Sequence, residues 1–348
     1  MPLPPVDQSY LLDVLSNLLN IPSPTGFTES AADWTEKALA AFPPLQLKRT
    51  VKGAVLATWQ GSQPGPARAL AAHLDTLGAM VKEILPSGRL RLTNLGGLNW
   101  ASVECEACTV FTADGRTCRG SLMPNKASSH VHGKDAVEIT REAASMEVRL
   151  DARVLDSEES RALGIEVGDF VAFDPRLEVV NGFVRSRYLD DKACAACMLA
   201  AVKALHEAGL TPVRTSHFFF SVFEEVGHGA SAGIPADIDE LVVVDMAAIG
   251  DGQASDEYNV TLCVKDSSGP YHHGLSQHLR QLAEENNIPF KVDIYPYYGS
   301  DGGALLRAGA DTAVALIGPG VDASHSYERT HMDALIATTQ WIMAYLLS

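Results

Sequence analysis

Patterns typical of buried strands and amphipathic helices alternate along most of the chain, and one long run of short strand patterns interrupts them. Such alternation predicts an α/β fold in which helices cover both faces of a mixed sheet. From Gly78 to about residue 174, short apolar runs are separated by Gly, Asn and Asp, which is typical of a small all-β module. We therefore expect one α/β domain formed by residues 1–76 and 180–348, with a β-domain inserted at 77–179.

The composition argues against several classes of partner. A chain of 348 residues with 46% hydrophobic and 20% charged residues is typical of a globular protein with room for two domains. Its net charge of −16 argues against nucleic acid and membrane surfaces, because both require a basic face. Neither a secretion signal nor a membrane-spanning segment is recognisable, so we expect a cytoplasmic protein.

Two Cys-x-x-Cys pairs, Cys105 with Cys108 and Cys194 with Cys197, are candidates for a structural zinc site. A long segment and a predicted domain boundary separate the two pairs, and the second pair lies in an alanine-rich helical pattern. Cysteine packs there as a small apolar residue. We therefore favour packing over metal binding, with reduced thiols.

Acidic and imidazole residues follow the ends of the predicted buried strands or the turns after them. In open α/β sheets, the carboxyl ends of the strands gather at one edge, where ligands bind. Two histidines and three carboxylates at such an edge form a ligand set for two divalent metal ions that share one carboxylate. The residues concerned are His73, Asp190, Glu225, Asp245 and His325.

Some of these residues have acidic neighbours with different expected roles. Asp75 lies two residues after His73 and faces the same side of a strand, so we expect it to support the metal-binding histidine. Asp190 is our choice for the shared carboxylate and Asp191 for a structural neighbour, although an acidic pair before a helix also serves as a cap.

Glu224 and Glu225 follow the very apolar run FFFSVF, where two acids are costly to bury without a cation. We expect Glu225 to bind metal and Glu224 to act as the general base toward a bound water. A solvated loop is the weaker alternative. His331 competes with His325 but is typical of a helix cap or a core residue, and Asp301 either lines a substrate site or caps the following helix.

The segments AHLDTLGAMV, LDDKA, EEVGHGA, the Asp that ends LVVVD, and HSYE occur in a characteristic order and spacing. Over nearly its whole length the chain resembles the co-catalytic dizinc aminopeptidases, which include glutamyl and deblocking aminopeptidases, the tetrahedral TET enzymes and cellulase-M-like peptidases. Lys192 and His228 depart from the family pattern, which puts only local charge in doubt.

The resemblance implies one metal ion held by His73, Asp190 and Asp245, and a second held by Asp190, Glu225 and His325. It also implies Glu224 as the general base and Asp75 behind the metal site. Family members form dimers through the inserted domain and assemble into hollow dodecamers, so a homo-oligomer is expected.

Together these features predict a metal-dependent aminopeptidase that removes amino-terminal residues from short peptides. Zinc is the expected metal, and cobalt and manganese stay open because imidazole and carboxylate accept all three. The alternatives are a metal-dependent N-acyl amino acid hydrolase, a glycosidase, and a non-catalytic metal-binding particle. A glycosidase would need acids that are not committed to metal, and a purely structural site has no use for Glu224.

Overall fold

The computed structural model describes residues 2–348, which form two compact units. Among the described residues, the first unit comprises 2–75 and Arg176–Ser348, and the second comprises Thr76–Pro175. The predicted boundaries after residues 76 and 179 differ slightly from these. At the second boundary, the strand Glu178–Val180 pairs with Phe183–Ser186 and so belongs to the first unit.

The first unit contains a large mixed sheet and a small antiparallel sheet. Its helices are α1 (Gln8–Asn20), α2 (Glu29–Leu39), α6 (Leu189–Glu207), α7 (His273–Glu285), α8 (Asp301–Arg307) and α9 (Met332–Leu346). Its strands are β1 (Leu45–Arg49), β2 (Val55–Trp59), β3 (Ala67–His73), β10 (Glu178–Val180), β11 (Phe183–Ser186), β12 (Ser216–Ser221), β13 (Ile238–Val244), β14 (Ala247–Ala248), β15 (Val260–Asp266), β16 (Gly269–Pro270), β17 (Phe290–Ile294), β18 (Ala313–Val321) and β19 (Glu328–His331).

The large sheet has the order β1-β2-β12-β3-β13-β18-β15-β16, with β17 beside β15 and β14 beside β18. At its centre β12, β3, β13 and β18 run parallel, whereas β2 runs antiparallel to β12 and β15 runs antiparallel to β18. Strands β10, β11 and β19 form the small sheet. The predicted α/β fold with helices on both faces of a mixed sheet is confirmed.

The central strands are rich in apolar residues, as expected where helices cover both of their faces. Every residue of β3 and β12 is buried, including the three phenylalanines of β12. The alanine- and cysteine-rich α6 is also buried along most of its length, Cys194 and Cys197 included, and packs against β3, α1 and α9. Small side chains allow this close approach of a helix to a sheet and to other helices.

The second unit is a closed barrel with a buried apolar core that includes Leu92, Val110, Val148 and Val171. Its elements are β4 (Gly78–Ile84), β5 (Leu90–Leu95), β6 (Ala107–Phe111), β7 (Thr117–Pro124), α3 (Ser129–His132), α4 (Asp135–Glu138), β8 (Met146–Leu150), α5 (Ser157–Ala162) and β9 (Phe170–Phe173). The strands follow the order β4-β5-β8-β7-β6-β9, which confirms the predicted all-β module. The short helices in the connections were not predicted.

Within residues 2–348, no helix combines the length and apolar character needed to cross a membrane.

Candidate metal centre

The carboxyl ends of the central parallel strands meet at one edge of the large sheet and carry the predicted site residues there. His73 is the last residue of β3 and pairs with Ser221 of β12. Asp245 follows β13 directly, and His325 lies in the turn after β18. Glu224 and Glu225 lie in a short 3-10 turn shortly after β12.

Asp190 and Asp191 approach this edge from the start of α6, where their backbone is not helical and the peptide bond between them is cis. The carboxylate of Asp191 accepts a hydrogen bond from the backbone N–H of His73 at 3.1 Å. Asp191 therefore supports the end of β3, whereas Asp190 faces the histidine side chains. The two neighbouring aspartates thus make different contacts.

Asp190 lies between two groups of potential metal ligands. His73, Asp190 and Asp245 form one group, and Asp190, Glu225 and His325 form the other; within each group the ligand atoms lie within 4.8 Å of one another. Asp190 Oδ1 lies 3.1 Å from His73 Nε2, and Asp190 Oδ2 lies 3.6 Å from His325 Nε2. The two oxygens of one carboxylate thus face two different histidines.

Glu224 belongs to neither group, yet its Oε2 lies 3.7 Å from His73 Nε2. Its neighbour Glu225 contributes to the second group, with Oε2 3.7 Å from His325 Nε2. The adjacent glutamates therefore lie on different sides of Asp190, one inside a ligand group and one beside it.

Asp75 contacts His73 through its backbone and not through its carboxylate. The carbonyl oxygen of Asp75 lies 2.8 Å from His73 Nδ1, whereas its carboxylate is 3.7 Å away. Because a carbonyl only accepts hydrogen bonds, Nδ1 carries the proton and leaves Nε2 free to bind metal. The carboxylate instead accepts the backbone N–H groups of Glu224 and Glu225 at 3.1 and 3.3 Å, and the hydroxyl of Thr25.

The family model for M42 glutamyl aminopeptidases matches residues 53–341, which is most of the chain. The chain belongs to the M42 glutamyl aminopeptidase family. This membership assigns aminopeptidase activity to the chain. The residues matched include every member of both ligand groups.

Similar proteins agree with the family assignment. The chain is 45% identical over 338 residues to a Bacillus subtilis protein named "Putative aminopeptidase YhfE", covering 97% of both chains. An aminopeptidase from the archaeon Desulfurococcus kamchatkensis has the same fold, with a TM-score of 0.87 at 21% identity and coverage of 97% and 95%. The TET1 peptidase of Pyrococcus horikoshii, described as assembling into a tetrahedron or a large octahedral shell, gives 0.84 at 22% identity, with coverage of 97% and 99%.

Three acidic side chains of the centre, Glu224, Glu225 and Asp245, are costly to ionise, whereas burial of Asp190 is outweighed by hydrogen bonds to His325 and His73 that lower its pKa. Burial raises the pKa of Glu224 and of Glu225 well above the ordinary value, and burial together with the charge of Asp190 raises the pKa of Asp245 to about 7. A divalent cation removes this cost because it compensates the buried negative charge. The donor set of imidazole nitrogens and carboxylate oxygens fits such cations chemically.

The two histidines of the centre have raised pKa values, so they hold a proton more readily than an ordinary histidine does. Burial lowers the pKa of His73, but its hydrogen bond to Asp190 and the charges of nearby carboxylates outweigh burial and raise the pKa well above the ordinary value. The hydrogen bond to Asp190 also raises the pKa of His325 to about 10. Without metal, protons therefore occupy the positions that a cation would take.

Glu328 was missed from the sequence, although it is the last residue of the segment HSYE. Its carboxylate is buried and accepts the backbone N–H groups of Asp190 at 3.1 Å and His325 at 3.0 Å. Tyr298 was also missed; its hydroxyl donates to the carbonyl of Met246, the residue after Asp245, at 2.9 Å. No sequence pattern predicts these contacts, because both side chains hydrogen-bond to backbone groups and their partners Asp190 and Met246 lie far away in the sequence.

The remaining candidates have structural partners. His331 caps α9 by accepting the backbone N–H of Asp333, as predicted for a cap. His228 is exposed and stacks on Phe223. Asp301 is the first residue of α8, after the cap residue Ser300, and its carboxylate points to the loop that follows Glu225.

Lys192 is fully buried, and its ammonium donates to the carbonyl oxygens of Leu18 and Ile21 at the end of α1. Burial lowers its pKa to about 7. Lys192, which departs from the family pattern, therefore anchors the end of α1 next to Asp190 and Asp191.

A cleft of about 680 Å³ opens onto the centre. Its lining includes the acidic residues of the centre together with Met246, Ile249 and the segment Tyr295–Ser300. A cleft of this size accommodates a small ligand of a few residues.

Proposed function

We propose that the chain is a two-metal aminopeptidase in which Glu224 acts as the general base. The position of Asp190 carries the proposal: its two oxygens face different histidines, and an additional carboxylate stands beside the pair without belonging to either ligand group. A purely structural metal site needs no such additional acid beside an open position. The five proposed ligands are His73, Asp190, Glu225, Asp245 and His325.

Zinc is the proposed metal at both positions. When bound, the cations would polarise the substrate carbonyl and increase the acidity of water in the cleft. The hydrogen bond at Nδ1 fixes the orientation of the His73 ring, so its Nε2 atom is a suitable ligand for zinc.

Glu224 performs the proton transfers of the proposed reaction. Its carboxylate accepts a proton from the attacking water and returns that proton to the amine nitrogen that leaves when the peptide bond breaks. Burial raises its pKa, which brings the group closer to the range in which a carboxyl exchanges protons near neutral pH. The hydrogen bonds from the backbone of Glu224 and Glu225 to Asp75 hold this acid in place.

Selectivity for a free amino terminus follows from the charge of the cleft. Glu224 and Asp251 line the cleft but belong to neither ligand group, so bound cations would leave their charges available, and Arg307 is the only Lys or Arg among the lining residues. A protonated amino terminus is attracted to such a surface, whereas a blocked one is not. Short peptides are therefore the proposed substrates.

The test is hydrolysis of amino-acid p-nitroanilides by protein as purified, after chelation, and after addition of zinc, cobalt or manganese. We expect chelation to abolish release and metal to restore it, with free but not N-acetylated substrates. Release of amino acids from N-acetyl amino acids alone would instead favour the acylase alternative. Absence of all activity from protein with bound metal would favour the non-catalytic particle.

We also propose a cytoplasmic homo-oligomer, with the unit Thr76–Pro175 forming the contacts between copies and the other unit carrying catalysis. The shell-forming Pyrococcus horikoshii peptidase, which shares the fold over 97% of this chain, supports the proposal. Mass measurement in solution tests it: a dimer or a multiple of dimers is expected, and a monomer at micromolar concentration would contradict it.

A further inference from the structure

The peptide group between Gly229 and Ala230 is held from both of its ends by oppositely charged side chains. Lys52 Nζ donates a hydrogen bond to the carbonyl oxygen of Gly229 at 2.9 Å. Asp301 Oδ1 accepts a hydrogen bond from the backbone N–H of Ala230 at 2.6 Å. Lys52 and Asp301 belong to neither ligand group, and they are not among the residues that line the cleft.

Both side chains make further contacts with the same stretch of chain, residues 221–231, which we term the base loop. Lys52 also donates to the carbonyl of His228 and to the Ser231 hydroxyl, and it lies 5.7 Å from the centre of the Phe223 ring. Asp301 Oδ2 accepts the hydroxyl of Ser221 at 2.5 Å. The anchored positions therefore stand on both sides of Glu224 and Glu225.

Gly229 lets Asp301 approach the base loop closely. A Cβ atom at this position would lie 2.2 Å from Asp301 Oδ1 and 2.9 Å from Ser221 Oγ. Any larger residue would push the Asp301 carboxylate away from the Ala230 amide. Glycine is thus required by contact with a specific carboxylate, at a residue where the backbone φ is not in the left-handed region.

The two anchors come from different parts of the first unit. Lys52 lies in the turn between β1 and β2 and is half-buried, whereas Asp301 begins α8 and is 2% exposed. A carboxylate buried to this degree is costly unless hydrogen bonds and a nearby cation compensate it. The base-loop donors and the attraction between Lys52 and Asp301 offset part of this cost, although burial still raises the pKa of Asp301 above its ordinary value.

We propose that Lys52 and Asp301 are positioning residues that fix the base loop and thereby aim the Glu224 carboxylate at the reacting water. The inference rests on the proposed function, because it requires Glu224 to be the general base. Neither residue touches the substrate or the metals; each acts through the backbone of the base loop. Misplacement of a reacting group by about 1 Å lowers turnover by roughly 100-fold, so small shifts of this loop matter.

The test compares Lys52→Met, which keeps the length of the side chain without its charge, with Lys52→Arg, Asp301→Asn and the double variant Lys52→Met/Asp301→Asn. We expect Lys52→Met to lower kcat by about 10- to 100-fold with KM within about twofold of the parent value. Zinc content and zinc affinity should stay at the parent level. Lys52→Arg should recover most of the lost kcat, because a guanidinium can also donate to two carbonyls.

The double variant should lose less than the product of the two single losses, since both residues act on one peptide group. Lys203→Met is the matched control: this lysine forms an ion pair with Glu207 in α6, away from the base loop, and its loss should leave kcat unchanged. A merely structural role for Lys52 would lower the melting temperature without changing kcat, which would overturn the proposal.

Glu224→Gln is measured in parallel to separate the two ideas. If Glu224→Gln is inactive and Lys52→Met has the parent kcat, the positioning role is wrong and the proposed function stands. If Lys52→Met loses zinc together with activity, Lys52 acts on metal binding and the positioning of Glu224 is again wrong. If Glu224→Gln turns over like the parent, the proposed general base itself is wrong.

Discussion

The carboxylate of Glu328 accepts a hydrogen bond from the backbone N–H of Asp190 at 3.1 Å. Its other oxygen accepts the N–H of His325. The backbone φ of His325 is 62°, a value that residues other than glycine rarely adopt. One buried side chain thus fixes the backbone beneath the shared carboxylate and beneath the second histidine.

Replacement of Glu328 by Gln should weaken zinc binding by about 10- to 100-fold, because groups that orient metal ligands contribute to affinity on this scale. The amide offers one acceptor oxygen, so one of the two N–H groups loses its partner. Competition with a chromophoric chelator measures the change. Glu257→Gln is the control, because Glu257 pairs with Arg329 on the neighbouring β19 without contacting a proposed ligand. Equal zinc affinities of Glu328→Gln and the parent protein would contradict the prediction.

Replacement of Glu224 by Gln should lower kcat by roughly 100- to 10,000-fold, which is the usual contribution of a general acid–base group. Zinc stoichiometry should be unchanged, because Glu224 lies outside both ligand groups. Steady-state kinetics and elemental analysis of the same sample provide the two measurements. Loss of zinc from the variant would instead identify Glu224 as a ligand.

The metal-free protein should lose stability as pH rises. Burial raises the pKa of Asp245 from 3.8 to about 7 and that of Glu328 from 4.5 to about 8. Between the unfolded and folded values, the folded state binds more protons than the unfolded state, so the free energy of unfolding falls with increasing pH. Melting temperatures in chelator should therefore decrease from about pH 5 to about pH 8.

Zinc-loaded protein should be more stable and should lack most of that decrease, because the cation replaces the protons of the folded state. Parallel melting curves with chelator and with excess zinc compare the two states directly. A chelated protein whose melting temperature is constant or increases over this pH range would contradict the prediction.

His217 should contribute a pH dependence of opposite sign in the zinc-loaded protein. Burial within β12 lowers its pKa below 6.5, Thr58 contacts its Nδ1, and its Nε2 has no hydrogen-bond partner among residues 2–348. As pH falls below the ordinary histidine pKa, the unfolded state binds a proton that the folded state resists, so stability decreases.

His217→Gln should therefore reduce the loss of melting temperature on acidification. His132→Gln, at an exposed position in the second unit, is the matched control and should leave the slope unchanged. An unaltered slope in His217→Gln would show that other groups cause the acid sensitivity.

The strand ends and their side chains were predictable because apolar runs and acidic residues are adjacent in the sequence. FFFSVF and LVVVD mark β12 and β13, and the residues that follow them lie at the carboxyl edge of a parallel sheet. Periodicity also predicts α1, whose buried residues recur at helical spacing. The predicted ligands could be chosen for this reason before any geometry was known.

The contact made by Asp75 was not predictable from the alternation of side chains between the two faces of a strand. Strand β3 ends at His73, so the rule that residues two apart face the same side no longer applies at Asp75. Its carboxylate turns to the backbone of Glu224 and Glu225. Lys52 and Asp301 were missed as partners of the base loop for a similar reason, because they hydrogen-bond to backbone groups of residues distant in sequence.

The insertion of the barrel after β3 has a consequence for the order in which the chain can fold during synthesis. The barrel is formed by the continuous segment Thr76–Pro175, so it can fold as soon as that segment has left the ribosome. Strand β3 emerges earlier, but both of its neighbours, β12 and β13, lie beyond residue 215. Both edges of β3 therefore stay unpaired until more than half of the chain has been synthesised. The nascent protein is therefore most exposed to aggregation and to chaperone binding at the strand that ends in His73.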